Sequence, residues 1–264
     1  MRARGAVPVV LPLVEFAPAA DLGALDRALD DLAAGRYDWL AVTSATTVDA
    51  IAERVVHRGL GPLAALLVAG PRSEGRDGPV RVAAVGPATA RALDEQGITP
   101  ALVSTERSAA GLAAELAPLT GPGTATRRLS VLVPHSDIAE ATLTEGLREV
   151  GWDAQEVVAY RTVTGTGDPV AAAHRWSVDG RHAVLLTSPS TARAVVDRLG
   201  RPPAGVVLCA LGPRTAEYAR RQGLEVTVVA EEPGVTELVL ALVEHARSTS
   251  QDPSPHPSRQ EAPE

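Results

Sequence analysis

Four short turns gather the hydroxyls, glycines and exposed backbone N–H groups of this chain. Two are near-copies of each other, Val85-Gly86-Pro87-Ala88-Thr89-Ala90 and Leu211-Gly212-Pro213-Arg214-Thr215-Ala216. The other two pair in the same way, Thr43-Ser44-Ala45-Thr46-Thr47 and Thr187-Ser188-Pro189-Ser190-Thr191. Each follows an apolar strand pattern and opens a helical one. The first turn of a helix has N–H groups without intrahelical partners and a partial positive charge, so it attracts carboxylates and phosphates. That chemistry singles out Ser44, Thr46, Gly86, Thr89, Ser188, Pro189, Ser190, Gly212, Arg214 and Thr215 as candidate ligand-binding residues. Arg214 adds a guanidinium, which pairs carboxylates bidentately. The plainer alternative is that Ser and Thr only cap their own helices and Arg214 is a surface charge. Both readings stand on sequence alone.

The pairing of the turns exposes a diverged internal duplication. The Gly-Pro turns are 126 residues apart (85 to 211), and the match runs on without gaps to Val103 and Val229, Leu112 and Leu238, and Leu116 and Leu242. The Ser/Thr turns are 144 residues apart (43 to 187). The first copy therefore holds an insertion, placed at Gly61–Pro79, which is rich in Gly and Pro. GAVPVVLPLVEF (5–16) reads as an extended segment matching GWDAQEVVAYRTV (151–163), an offset of 146 (5 to 151). The second of these is preceded by a strand, LSVLV, and a helix with apolar spacing on Ile138, Leu143, Leu147 and Val150. The first has no such unit, so the repeat predicts that about one strand and one helix are missing at the start.

The remaining pattern alternates strand and helix. Helices are expected at 22–34, with Asp21 as N-cap, at 46–58, from the first Gly-Pro turn to Gly97, at 109–119 with Ser108 as N-cap, and at 169–178, 190–199, 214–222 and 234–247. Strands are expected at 37–43, 80–85, 100–103, 182–187, 205–211 and 224–229. GPGTATRR (121–128) reads as a loop, and TVTGTGDP (161–168) as a turn or linker. This order implies parallel sheets covered on both faces, with ligands at the carboxyl ends of the strands. The fold class is α/β: two similar parallel-sheet domains joined by a two-stranded linker, with a cleft between them. The domains are 1–20 plus 161–247, and 21–160. The linkers, Val14–Ala20 and Tyr160–Asp168, are expected to pair as a hinge. From Ser248 the chain lacks apolar residues and is expected to be disordered.

Composition narrows the function. A hydrophobic content of 45% and charged content of 22% over 264 residues suit a globular core. The net charge of −7 disfavours nucleic acid as a partner. No apolar run is long enough to span a membrane. Arg2 and Arg4 before AVPVVLPLV superficially look like a signal peptide, but two prolines interrupt the run and Glu15 follows at once. The segment reads as a mature strand, which places the chain in the cytoplasm. Cys209, the single cysteine, reads as a buried structural thiol. No metal-ligand spacing, P-loop or dinucleotide fingerprint is present.

The ordered motifs VTSATTVDA, AAVGPATARALDEQGI, VLVP…LREVGW…VVAYRTV, LLTSPSTARAV and ALGPRTAEYARRQGL…VVAEEPGVTELV resemble the uroporphyrinogen-III synthase family across residues 5–247. The resemblance implies two similar α/β domains with the active site in the cleft between them. It implies a monomer that cyclises hydroxymethylbilane, with loss of water and inversion of the last pyrrole ring through a spiro intermediate, without metal or organic cofactor. The bilane closes unaided to the uninverted isomer, so such an enzyme chiefly holds the substrate in one geometry. The alternative is a catalytically impaired or non-catalytic module that binds an anionic small molecule. By the resemblance Tyr160 lines the cleft and is the candidate proton donor to the departing hydroxyl; a phenol is protonated at neutral pH. Otherwise it is a core aromatic. Its repeat counterpart is Val14, an asymmetry that suits a role on one side only. Ser136 is read as substrate-binding or as an N-cap, His135 as an acid or as a solvated loop residue, and Arg161 as a carboxylate partner or a surface charge. The family opens with a strand, a turn and a helix that this chain lacks, and the split domain is then expected to leave a sheet edge uncovered.

Overall fold

Strand Trp39–Val42 is buried at all four positions, which requires cover on both faces of its sheet. Side chains alternate along a strand, so Leu40 and Val42 enter one apolar layer while Trp39 and Ala41 enter the other. The computed structural model describes residues 1–68, 78–120, 128–176, 181–232 and 234–249. Two compact units divide the chain: Phe16–Val163, and a split unit of Met1–Glu15 with Thr164–Glu264.

The first unit is built on the elements β1 (Val14–Pro18), α1 (Leu22–Ala33), β2 (Trp39–Val42), α2 (Ala45–His57), α3 (Leu63–Val68), β3 (Arg81–Ala84), α4 (Pro87–Glu95), β4 (Leu102–Val103), α5 (Ala109–Leu116), β5 (Ser130–Ser136), α6 (Thr142–Glu149) and β6 (Asp153–Thr164). The sheet runs β1-β6-β5-β2-β3-β4. The β2–β3, β2–β5, β3–β4 and β5–β6 pairs are all parallel. One layer packs residues of α1, α2, α3 and α4 on the sheet; the other packs α5 and α6 around Trp152, which is fully buried and meets Trp39 edge to face at 6.3 Å.

In the split unit, α7 (Pro169–Arg175), β7 (Ala183–Leu186), α8 (Pro189–Leu199), β8 (Val207–Ala210), α9 (Pro213–Arg221), β9 (Val226–Val229) and α10 (Val235–Ser248) follow in turn. The sheet order is β7-β8-β9, all parallel. Arg198 of α8 donates to the carbonyls of Gly165 and Gly167 at 2.7 and 2.6 Å. Glu15 accepts from the Thr166 hydroxyl and N–H, which holds its carboxyl below the usual range. A Cβ at Gly165 would run into the Pro12 carbonyl, so this close approach requires glycine.

Several expectations need correction. The insertion hides a helix, α3, that buries Leu63, Leu66 and Leu67; its Gly and Pro flanks masked six helical residues. Residues 69–77 of the insertion lie outside the described residues, as do 121–127 of the loop, 177–178 of the expected helix and the tail from 250. The helix after LSVLV is shorter than its apolar spacing suggests. Strand β5 continues to Ser136, whose carbonyl accepts the Ala139 N–H in a turn, so α6 starts only at Thr142. Leu143 and Leu147 are buried, but Ile138 and Val150 are exposed. Helix α5 stops at Leu116 and gives way to a 3-10 turn. Strand β6 runs through Thr164, so the first residues of the expected linker are strand. Ser248, expected to begin the tail, closes α10. Among the described residues no helix is long and apolar enough to cross a membrane.

Cys209 is fully enclosed on β8, and burial pushes its thiol from 9.0 up to about 12. Burial disfavours the thiolate in the folded state only. Its contribution to stability is therefore complete below pH 9 and is lost as pH rises from about 9 towards about 12. Two results are expected. At pH 8 a thiol reagent labels Cys209 only as fast as the split unit opens. The variant Cys209→Val flattens the alkaline limb of the stability curve; equal slopes would contradict the assignment.

Candidate active site

The sheet of the first unit brings one set of candidates to a common edge. Strands β5, β2 and β3 are adjacent and parallel, so the residues that follow them emerge at the same carboxyl end. Ser44 follows β2, Gly86 follows β3, and Ser136 ends β5. Tyr160 stands opposite Ser136 in the β5–β6 register, just past an irregularity at His135/Ser136. The Tyr160 ring is buried and meets Phe16 edge to face at 5.4 Å. Its hydroxyl has no hydrogen-bond partner among the described residues, and it is not among the polar atoms sealed from water. A buried ring thus presents an open hydroxyl.

The turns differ in how much of their hydrogen-bonding capacity is already used. Ser44 caps α2: its Oγ accepts the Thr47 N–H at 3.0 Å and lies 2.7 Å from the Thr47 hydroxyl. Ser44 thus caps its helix, as Ser188 does in the other unit, and half-buried Thr46 has no side-chain bond among the described residues. No side chain caps α4, whose N-cap is Gly86 with Pro87 behind it. Its first-turn N–H groups have no intrahelical acceptor, and Thr89 is buried beside them. The turn after β4 is occupied by the protein itself. Glu115 accepts from the Thr105 hydroxyl at 2.7 Å, the Thr105 N–H at 2.9 Å and the Ser104 hydroxyl at 3.3 Å, and the Thr105 bonds hold its carboxyl below the usual range. A carboxylate from α5 thus takes up the donors of that turn.

The split unit repeats the arrangement. Ser188 caps α8, accepting the Thr191 N–H at 3.1 Å, with its Oγ 2.9 Å from the hydroxyls of both Ser190 and Thr191. Pro189 opens that helix. Gly212 and Pro213 open α9 with no side-chain cap, and Thr215 is buried. Arg214 is exposed and has no hydrogen-bond or ion-pair partner among the described residues. Strands β7 and β8 are neighbours and parallel, so these two turns also share one carboxyl edge.

Three sequence readings change in detail. Ser136 caps no helix: it ends β5, and the residue before α6 is Ala141. His135 is no solvated loop residue. It lies within β5, its Nδ1 is 2.7 Å from the Ser136 carbonyl, and its Nε2 is buried without a partner among the described residues. Arg161 uses its Nε on the Pro18 carbonyl at 3.1 Å. Two residues beside Tyr160 went unnoticed in the sequence. Phe16 supports the ring, and Asp137 takes the Thr162 N–H at 2.8 Å while its own N–H bonds the Tyr160 carbonyl at 3.1 Å. Phe16, the only phenylalanine, was the one available signal. Among the described residues no His, Cys, Asp or Glu cluster is able to hold a metal ion.

The family model described as uroporphyrinogen-III synthase HemD matches residues 1–239. The chain belongs to the uroporphyrinogen-III synthase family. It is 26% identical over 260 residues to the uroporphyrinogen-III synthase of Synechococcus elongatus, covering 95% of this chain and 90% of that relative. It is also 26% identical over 249 residues to the chloroplastic uroporphyrinogen-III synthase of Oryza sativa subsp. japonica, covering 91% of this chain and 73% of the relative. A crystal structure of a mutant uroporphyrinogen III synthase from Thermus thermophilus superposes with a TM-score of 0.63 at 21% identity, covering 95% of this chain and 92% of that one. The uroporphyrinogen-III synthetase of Helicobacter pylori gives 0.57 at 18% identity, covering 90% and 91%. These two structural matches speak for the two-domain α/β fold of the family.

Proposed function

We propose that the chain is a uroporphyrinogen-III synthase, a cyclising hydro-lyase of tetrapyrrole biosynthesis acting on hydroxymethylbilane. The family match over residues 1–239 carries this reading. The open hydroxyl of Tyr160 on its buried ring supports the assignment of the proton donor. Tyr160 protonates the departing hydroxyl, the C–O bond breaks, and water leaves. Positive charge then spreads over the adjoining pyrrole, facing the phenolate left behind. The terminal ring inverts through the spiro intermediate, and ring closure returns a proton to Tyr160, so the protein ends as it began. No metal or organic cofactor enters these steps.

The substrate carries acetate and propionate groups, and binding them needs donors rather than a basic surface. The uncapped first turns at Gly86–Thr89 and Gly212–Thr215 supply N–H groups, Arg214 supplies a free guanidinium, and Thr46, Ser136, Ser188, Pro189 and Ser190 line the neighbouring turns. On this reading the chain works as a cytoplasmic monomer without nucleic acid. Arg214→Ala should raise KM roughly tenfold, the loss of one charge-assisted hydrogen bond of about 1.5 kcal/mol, with little change in kcat or stability. An unchanged KM would remove Arg214 from the binding set.

The activity is tested by generating hydroxymethylbilane in situ and following its disappearance. The chain should consume it faster than the spontaneous closure. A chain that binds the bilane yet leaves its lifetime unchanged is a binding module, and the proposal fails.

A further inference from the structure

The two Gly-Pro turns differ at one position that matters for charge. Gly86, Pro87 and Thr89 match Gly212, Pro213 and Thr215, but Ala88 stands where the second copy has Arg214, 126 residues on (88 to 214). The second turn thus carries a guanidinium of its own, and the first does not. The first turn still has the donors for an anion. Helix α4 spans nine residues without a side-chain cap, and Pro87 follows its N-cap Gly86. Thr89, in the same turn, is 3% exposed, and its hydroxyl has no partner among the described residues. That oxygen is not among the atoms sealed from water. Side chains lean towards the start of their helix, so the hydroxyl opens at the uncapped end.

An arginine reaches this turn from a neighbouring loop. Arg107 lies between β4 and α5, and its stem packs on Gly86: a Cβ built on that glycine would stand 3.4 Å from Arg107 Cγ and 3.5 Å from its Cβ. The guanidinium is exposed and has no hydrogen bond or ion pair among the described residues. Arg107 is also the only non-glycine residue with a positive φ, 52°, among the described residues. An arginine keeps that conformation only where its surroundings fix it. Here they do so on both sides. The Ser104 N–H bonds the Ala84 carbonyl at 2.9 Å, Glu115 accepts from the Thr105 hydroxyl and N–H, and Ser108 caps α5 by accepting the Gly111 N–H at 2.9 Å.

We infer that Arg107 is a further substrate-binding residue, supplying to the α4 turn the guanidinium that Arg214 supplies to the α9 turn. The site takes a carboxylate. The Thr89 hydroxyl and the free N–H groups of the first turn bond its oxygens, and Arg107 pairs with it from the Gly86 side. That this carboxylate is an acetate or propionate group of hydroxymethylbilane rests on the synthase reading proposed for the chain.

The variant Arg107→Asn tests this, because asparagine accepts the left-handed backbone and removes the charge. KM for hydroxymethylbilane should rise roughly tenfold with kcat and the thermal midpoint held, and Arg107→Lys should recover part of the loss. Equilibrium binding of uroporphyrin, the oxidised product, should weaken by about the same factor. The unsubstituted chain is measured beside both variants. If it turns over the bilane while Arg107→Asn leaves KM and uroporphyrin affinity unchanged, the inference is overturned and the synthase reading stands. A rise in KM that comes with a lower midpoint, and that lysine does not reduce, makes Arg107 a structural residue and also overturns it. An unsubstituted chain that binds uroporphyrin with the same dependence on Arg107, yet consumes no bilane, supports the site and ends the synthase reading. A chain that neither binds nor turns over ends both.

Discussion

Tyr160→Phe should lower kcat for hydroxymethylbilane by roughly 10²-fold, the low end of what a positioned proton donor contributes. The substitution removes one oxygen and leaves the ring. The edge-to-face contact with Phe16 at 5.4 Å and the backbone bond from Asp137 both persist, so the strand should stay in place. The hydroxyl has no partner among the described residues, so its loss orphans no buried group there. KM should move little, because the carboxylate donors lie on other turns. Residual turnover is expected to be clear, since holding the bilane in one geometry supplies most of the acceleration. The residual product should still be the inverted isomer. The measurement is a kcat and KM pair on purified variant, with circular dichroism to confirm the fold. An unchanged kcat removes Tyr160 from the proton-donor role. Complete loss of turnover in a folded variant contradicts the view that positioning dominates.

The second large effect concerns the frame behind that site. Trp152→Ala should destabilise the first unit by about 3 kcal/mol, the low end of the range for emptying a large aromatic site in a core. Trp152 is fully buried, meets Trp39 edge to face, and shares its layer with Leu112, Leu116, Leu143 and Leu147. Helices α5 and α6 hold that layer closed, so the cavity is poorly placed to collapse. An opposing effect sets the low end. The indole Nε1 is buried without a partner among the described residues, and removing it relieves a desolvation cost of about 1–3 kcal/mol. The cavity term wins. For a unit of this size the midpoint of thermal unfolding should fall by roughly 6–12 °C. A shift of about 1 °C or less would mean that the layer repacks. Trp152→Phe, which loses the orphan N–H but keeps a ring, should cost clearly less than Trp152→Ala.

What was legible in the sequence depended on whether a physical requirement leaves a local trace. The turns at Gly86 and Gly212 were visible because an uncapped helix start with Pro in its first position has a distinctive spelling, used twice. The caps Asp21, Ser44, Ser108 and Ser188 were visible for the same reason, and each one accepts the expected N–H. Helix α3 was hidden because six apolar residues between Gly-Pro pairs have no room to show a period. The apolar spacing from Ile138 to Val150 misled because β5 and its turn used up the residues that the helix would have needed. Contacts made across the chain were beyond reach. Phe16 meets Tyr160 from a distant strand, Arg198 reaches the carbonyls of Gly165 and Gly167, and Glu115 fills the turn after β4, yet none of these leaves a pattern in its own neighbourhood. The candidate site was therefore readable as a set of turns. The support behind Tyr160, and the difference between occupied and open turns, required coordinates.

As a member of its family, this chain inverts the last ring of a linear tetrapyrrole as it closes it. The most direct measurement is the isomer composition of the product. Hydroxymethylbilane is made in situ by its own synthase, this chain is added, the products are oxidised, and the uroporphyrins are separated by chromatography. Predominantly isomer III is expected. Isomer I alone, in the presence of folded protein, would contradict it.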